Sequence, residues 1–542
     1  MSSDQDQVAP VKEQASIPPE SAEQAVVTYQ SPGKKGFKFW AVIATLSIAG
    51  NLTALEATIV STALPTIITE LNGADKYIWV ANAYLLSFTA LQPIYGQLAN
   101  VFGRRHPMLI STAFYILGSG ICGGANNIEM LIAGRAIQGI GAAGLNVLIE
   151  IVVCDITPLR ERGLYLGIVM GSILFSSGLG PLFGGLIVQN TSWRWVFYLN
   201  LPIGGVVLVA MALFLQVKFD NKMAFTLKRL DLGGSIIFAG SAASISLALA
   251  WAGSAYSWSS VQVILPLVMG FVGLGCFLMY ESFLADPIMP LRLFQNRTSL
   301  IAFFLTFLHA IGVMMPLYFL PVYFQAVLGA SPERSGIDLL PTILTIIPFA
   351  MTAGVLLQQL GRYKPIHFVG SAALAISFGL FSLLDENSST AAWVLFQMLM
   401  SAGAGLIIPT LLPAVQAELT DADTGSATGT WTFIRSFGMT WGVTIPSTIF
   451  NDRTSQLSAR IQDPSVVSLL TGGQAYERAT KEFVNSIADP TVRAQVISVF
   501  AESLKRMWQV GIAFVALGFL VVLLEKEVPL RKELNTEYGI EK

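Results

Sequence analysis

The stretch GSILFSSGLGPLFGG, residues 171–185, decides how the chain is read, because it is glycine-rich yet lies inside an apolar run of helix length. Glycine and proline at this density would dissolve a helix in water. In a bilayer the backbone has no water to turn to, and small residues let neighbouring helices approach closely. Gly180 and Gly184 make a GxxxG step with Pro181 between them, and Gly178 and Gly185 flank it. The segment reads as a membrane helix packed tightly on a partner and bendable at Pro181, where the missing N–H leaves a carbonyl unpaired. Plain helix packing explains a lone GxxxG step equally well, so its surroundings must decide whether it has a function.

Those surroundings are apolar throughout. Hydrophobic residues make up 53% of the 542 and charged residues 12%, against roughly 25% charged in soluble domains, and mean hydropathy is +0.62. The chain is an all-α polytopic membrane protein. Apolar runs fall at 39–67, 78–98, 107–124, 128–153, 163–188, 196–217, 232–251, 263–280, 300–320, 336–357, 366–384, 392–415, 425–449 and 510–524, about fourteen spans by the rule of roughly 20 residues per crossing. Residues 1–37 are polar, lack an apolar signal region and read as a disordered cytoplasmic tail; 527–542 reads as a second tail. Cys122, Cys154 and Cys276 sit on separate runs, and His106, His309 and His367 do not cluster, so neither a disulfide framework nor a metal site is visible.

Basic residues give the orientation. With the N-terminus in the cytoplasm, loops after even-numbered spans carry Arg104 and Arg105, Arg160 and Arg162, Lys218, Lys222, Lys228 and Arg229, Arg292 and Arg297, and Arg362 and Lys364. The loop at 418–423 breaks the pattern. Loops after odd spans hold little beyond Lys76, Arg194 and Arg334, and Lys526, Arg531 and Lys532 flank the last span. Both termini are therefore expected in the cytoplasm. The long outer loop, 451–508, mixes apolar and charged residues and suits either amphipathic helices on the outer leaflet or a solvated lid.

Between the second and third spans lies GQLANVFGRRHPML, residues 96–109, which resembles the signature loop of the major facilitator superfamily on Gly96, Gly103, Arg104 and Arg105. The family pattern has an acid where this chain has Asn100, and a basic residue where it has Val101. Asn100 can still accept a hydrogen bond at a helix N-terminus but forgoes a charge–dipole contribution of roughly 0.3–1 kcal/mol. LEATIVSTALP (55–65) resembles the first-span motif of the fourteen-span drug:proton antiporter family, with Glu56 at the usual Asp. LIAGRAIQGIGAAG (131–144) resembles its fourth-span motif on Arg135, residues 171–185 its antiporter motif, and WRWVFYLNLPIGG (193–205) the start of its sixth span. DITPLRERG (155–163) and PVYFQAVLGASPERSG (321–336) are similar to stretches of fungal members.

The resemblance implies a six-helix bundle over 38–217, two inserted helices within 218–298 and a second six-helix bundle over 299–526, enclosing a cavity that opens to alternate sides. It also implies proton-coupled export of drugs, toxins or secondary metabolites from the cell. Transport of basic amino acids into a vacuole, or of siderophores, is the alternative. The expected partners are protons, a small amphiphilic organic substrate and the lipid bilayer, with no nucleic acid, for a monomer whose energy source is the proton gradient and which needs no cofactor.

The charges agree. A charge at membrane depth costs about 2.5–3.5 kcal/mol on insertion scales and therefore faces a cavity or a partner. Glu56 and Arg135 lie on antiparallel spans at similar depth, roughly 10–16 Å by a rise of about 1.5 Å per residue, and can pair. Either the pair toggles, Glu56 taking a proton when Arg135 releases it, or it is permanent and structural. Along the fourth span Arg135, Gln138, Ala142, Asn146, Ile149 and Glu150 fall within about 120° of one another, a polar and small-residue face. Gln138, Asn146, Glu150, His309, Tyr318 and Gln325 are read as cavity-lining, with Tyr323 and Phe324 extending an aromatic wall. Arg435, Gly438 and Gly442 mark span thirteen as closely packed, and Asn190 and Asn387 head glycosylation sequons. The sequence offers neither a catalytic constellation nor a P-loop, which sets aside a membrane enzyme and an ATP-driven pump.

Overall fold

In the computed structural model the structure describes residues 35–71, 77–215, 230–253 and 256–532, and they are built from α-helices. The expected tail up to residue 34, the side chain of Pro181, the basic residues Lys76, Lys218, Lys222, Lys228 and Arg229, and residues 533–542 lie outside that description. In chain order come α1 (Phe37–Leu71), α2 (Tyr77–Ala90), α3 (Gln92–Phe102), α4 (Arg105–Gly123), α5 (Ile128–Ile156), α6 (Leu159–Asn190), α7 (Arg194–Tyr198) and α8 (Asn200–Phe214). A hairpin follows, α9 (Leu232–Trp251) and α10 (Val261–Glu281). The C-terminal helices are α11 (Arg297–Val322), α12 (Pro332–Asp338), α13 (Leu340–Leu360), α14 (Lys364–Phe381), α15 (Thr390–Gln416), α16 (Thr424–Leu457), α17 (Pro464–Leu470), α18 (Ala475–Arg478), α19 (Lys481–Ser486) and α20 (Pro490–Leu524).

Among the described residues each apolar run read from the sequence lies mainly on helix, and eleven helical segments are long and apolar enough to cross a membrane. The other three runs differ for physical reasons. The run 78–98 is broken at Leu91, just before the Pro93 that opens α3. That of α4 begins with Arg105 and His106 and buries Ser111, Thr112 and Ser119. That of α16 is rich in threonine and serine, with Thr424, Ser426, Thr428, Thr430 and Thr432 all buried. Helix boundaries follow local chemistry: Asn127 caps α5 by accepting from Met130 N at 2.8 Å, Asp231 caps α9 through Gly234 N at 2.7 Å, and α13 stops at Gly361, whose φ of +67° disfavours other residues.

Packing groups α1–α8 and α11–α20, joined where α6 lies on α13 and α15, and α3 on α16. The hairpin belongs to neither group alone. Trp251 meets Trp79 of α2 at 6.0 Å between ring centroids, and Phe238 meets Phe433 of α16 at 4.7 Å. Both ends of the described chain come to one end of the bundle, where Lys35 pairs with Glu161 at 3.0 Å and Arg160 N donates to Arg531 O at 3.2 Å. At the other end the long loop is a packed cap rather than leaflet-lying helices or a solvated lid. Val466, Leu470, Ala475, Val484 and Ile487 are buried, and Tyr476 N donates to Asn451 Oδ1 at 2.8 Å. Most of its apolar residues face the bundle, with Leu469 exposed, so little apolar surface is left to lie on a leaflet.

Candidate functional site

Glycines bring the first polar cluster together. A Cβ on Gly139 would stand 2.5 Å from Tyr84 O, so α5 sits against α2; one on Gly141 would stand 2.6 Å from Ser111 O, so α5 also sits against α4; and one on Gly180 would stand 3.0 Å from Ile59 N, so α6 lies hard on α1. Between them, Arg135 Nη1 donates to Glu56 Oε1, and both side chains are buried, Glu56 1% and Arg135 3% exposed. Arg135 Nε donates to Val80 O at 3.0 Å, its Nη1 to Gln138 Oε1 at 2.8 Å, and its guanidinium lies 4.3 Å from the centroid of the Tyr84 ring. Gln138 Nε2 donates to Ser119 Oγ at 2.8 Å, which Asn200 Nδ2 approaches at 3.3 Å. Glu56 Oε2 is buried without a hydrogen-bond partner among the described residues. Gln138, expected to line a cavity, is fully buried because both ends of its amide are engaged.

The second cluster spans the two helix groups. Glu150 of α5 and Arg435 of α16 pair at 2.7 Å; Thr432 Oγ1 donates to Glu150 Oε2 at 2.8 Å, and Arg435 Nη2 also reaches Asn146 Oδ1 at 3.1 Å. Arg435 stacks 4.4 Å from the Trp431 ring centroid, and Trp431 Nε1 donates to Thr306 Oγ1 at 2.9 Å. Glu150 is buried by this pairing rather than left on an open wall. His309 is buried with Nε2 3.3 Å from Ala404 O, tying α11 to α15. Tyr318 is 44% exposed and Gln325, in a π-helical turn, half-buried. Tyr323 and Phe324 are core residues and no part of a wall: the Tyr323 hydroxyl donates to Asp385 O at 2.8 Å, and Phe324 meets Trp393 at 5.0 Å.

The signature loop joins the same two groups near the chain termini. A Cβ on Gly96 would stand 2.7 Å from Gly425 O, and Asn100 Nδ2 donates to Ser426 Oγ at 3.2 Å, which sets Asn100 of α3 against the first turn of α16 as a donor rather than the expected acceptor. Gly103, at φ +75°, makes the turn into α4. Arg104 is buried on Asp155 at 2.6 Å and Ala99 O at 2.7 Å, and Arg105 Nη2 donates to Ala212 O at 2.7 Å. Arg162 Nη1 donates across to Gln416 Oε1 at 2.7 Å. Asp423, at the N-cap position of α16, makes no side-chain cap there and instead pairs with Arg292 at 2.7 Å. Asp155, Gln416 and the partnership of Arg435 are what the sequence reading missed. Asp155 lies 51 positions from Arg104 and Glu150 285 from Arg435, and carboxylates so far along the chain from their cations give no local signal. Of the glycine segment, a Cβ on Gly178 would stand 3.0 Å from Ile343 Cδ1 of α13, Gly184 is buried, and Gly185 faces open space. Asn190 and Asn387 are both exposed.

Long apolar helices carrying buried ion pairs within and between two helix groups define a polytopic membrane transporter. The chain belongs to the Major Facilitator Superfamily, whose family model matches residues 46–443. It is 52% identical over 98% of its length to the MFS-type transporter gkaD of Penicillium citrinum, covering 91% of that protein. It is 46% identical to the efflux pump FUS6 of Gibberella fujikuroi, covering 94% of this chain and 93% of the relative. Among solved structures the human organic anion transporter MFSD10 superposes with a TM-score of 0.59 at 14% identity, over 90% of this chain and 100% of that one, a likeness of fold alone. The chain is a secondary transporter and not an enzyme.

Proposed function

We propose that this chain exports small amphiphilic organic solutes, drugs, toxins or secondary metabolites, in exchange for protons by alternating access across fourteen spans. Both termini lie in the cytoplasm and the membrane is that of the cell surface. Relatives named as efflux pumps support export. The observation that carries proton coupling is the Glu56–Arg135 pair, buried on the helix next to the glycine segment.

A proton arriving at Glu56 forms an O–H bond and removes the carboxylate charge. Arg135 then keeps Val80 O, Gln138 Oε1 and the Tyr84 ring, neutral partners that hold the guanidinium in place without a counter-ion. Losing one partner of a buried ion pair costs about 3–5 kcal/mol, enough to favour a rearrangement of α1 against α5. Such a rearrangement reaches the other helix group because α5 also carries Glu150 and Asn146, held by Arg435. With Asn100 on Ser426 and Arg162 on Gln416, the end of the molecule holding the termini is closed. In the proposed orientation this closed end is the cytoplasmic one.

The test is transport of labelled amphiphilic compounds in sealed vesicles of known orientation, with and without an imposed pH gradient. Movement opposite to protons is expected for the wild type. Glu56→Gln is expected to abolish the gradient-driven component while folding and membrane insertion persist, and full gradient-driven transport in that variant would remove Glu56 from the mechanism.

A further inference from the structure

A cavity of about 700 Å³ opens between α16 and α20 at the end of the bundle away from the chain termini, distant from both ion-pair clusters. Its position relative to a bilayer can be read from the two helices themselves. Ile449 and Val510, on its lining, are the last residue of the apolar run 425–449 and the first of the run 510–524. The remaining lining is polar, so the cavity stands at the boundary where hydrocarbon gives way to headgroups.

Its charges are unevenly satisfied. The two carboxylates are occupied: Glu502 pairs with Arg460 at 2.8 Å, and Asp452 accepts from Gln456 Nε2 at 2.7 Å. The three cations are not. Lys505 and Arg506 of α20 have neither an ion pair nor a side-chain hydrogen bond among the described residues. Arg453 of α16 donates through Nη1 to Gln456 Oε1 at 3.0 Å, while its Nε is buried without an acceptor. A buried guanidinium N–H lacking an acceptor, beside two free cations in one cavity, calls for a multiply accepting anion.

We propose that this cavity binds the phosphate of a phospholipid headgroup, with the acyl chains descending past Ile449 and Val510. The phosphate supplies acceptors for Arg453 Nε and charge for Lys505 and Arg506. The apolar edge is what selects a lipid over a free phosphate.

The test uses the full chain in detergent, titrated with phosphatidylglycerol, with diacylglycerol of the same chains and with inorganic phosphate, counting bound lipid by native mass spectrometry. Wild type is expected to retain phosphatidylglycerol and not diacylglycerol, with inorganic phosphate failing to compete. The triple variant Arg453→Gln, Lys505→Gln, Arg506→Gln is expected to bind about tenfold more weakly or worse, with an unchanged melting profile in the absence of lipid. Should the triple variant misfold, the pair Lys505→Gln, Arg506→Gln, both exposed, carries the same expectation. Equal binding of diacylglycerol, or unaltered binding by the folded variants, overturns the proposal. Competition by inorganic phosphate at equal strength overturns the lipid assignment in favour of a soluble phosphate site.

Discussion

Asn100 is the residue at which this chain departs from its family's loop, and its surroundings give the departure a sign. Its amide donates to Ser426 Oγ at 3.2 Å in the first turn of α16, where an anion interacts favourably with the helix dipole by about 0.3–1 kcal/mol, up to ~2 when partly buried. Asn100→Asp is therefore expected to strengthen the contact between α3 and α16, and so to slow the step that separates them. Turnover in vesicles should fall by about two- to fivefold, with substrate affinity little changed; identical kinetics would show that the missing acid at position 100 is silent. Glu56 and Arg135 were legible because a charge inside an apolar run is conspicuous whatever surrounds it. Arg435 and Glu150 were each conspicuous, but nothing in the sequence joins them, because they lie 285 positions apart in different helix groups. The depth argument paired Glu56 with Arg135 because their antiparallel spans place them at similar depth; it was not applied between α5 and α16.

At the scale of elements, α6 shows what small-residue spacing does and does not reveal. The glycines announce close packing, but a GxxxG step names no partner. The structure gives α6 partners on both sides: Gly180 faces α1 beside Thr58 and Ile59, while Gly163, Gly167 and Gly171 run along α13, the first two also facing Pro409 of α15. Gly354 on α13 answers them, since a Cβ there would stand 2.7 Å from Gly163 O. Gly180→Val is expected to overpack the α1–α6 contact by about 1–3 kcal/mol and to lower the melting temperature of the purified protein. Gly185→Ala is its control, because a Cβ at that position meets nothing within 4 Å. Equal melting temperatures for the two variants would show that the glycine stripe is not what holds α6 against α1. Periodicity also located the apolar runs but not the break at Leu91 or the folding of 451–508 into a cap, since both depend on what the segment packs against rather than on its own pattern.

For the molecule as a whole, the question is whether α5 transmits events at Glu56 to the other helix group. Of the ion pairs on this one helix, Arg135 reaches α1 and Glu150 reaches α16, and α5 is continuous between them. A contact that must break and re-form once per cycle should tolerate exchange of its charges better than loss of one. Glu150→Arg sets two cations side by side in a buried place, and Arg435→Glu two carboxylates. Each is expected to reduce transport about tenfold or more, because an unpaired buried charge costs about 3–5 kcal/mol. The combined exchange restores opposite charges, while Asn146 and Thr432 lose their present hydrogen bonds to the pair, so recovery is expected to be substantial and incomplete. The measurement is a double-mutant cycle on transport rate, in which a directly interacting pair yields a coupling of roughly 0.5–3 kcal/mol. Additive losses, with the exchange no better than the worse single variant, would mean that the halves are held together by α6 on α13 and α3 on α16 without help from this pair, and that α5 does not carry the signal.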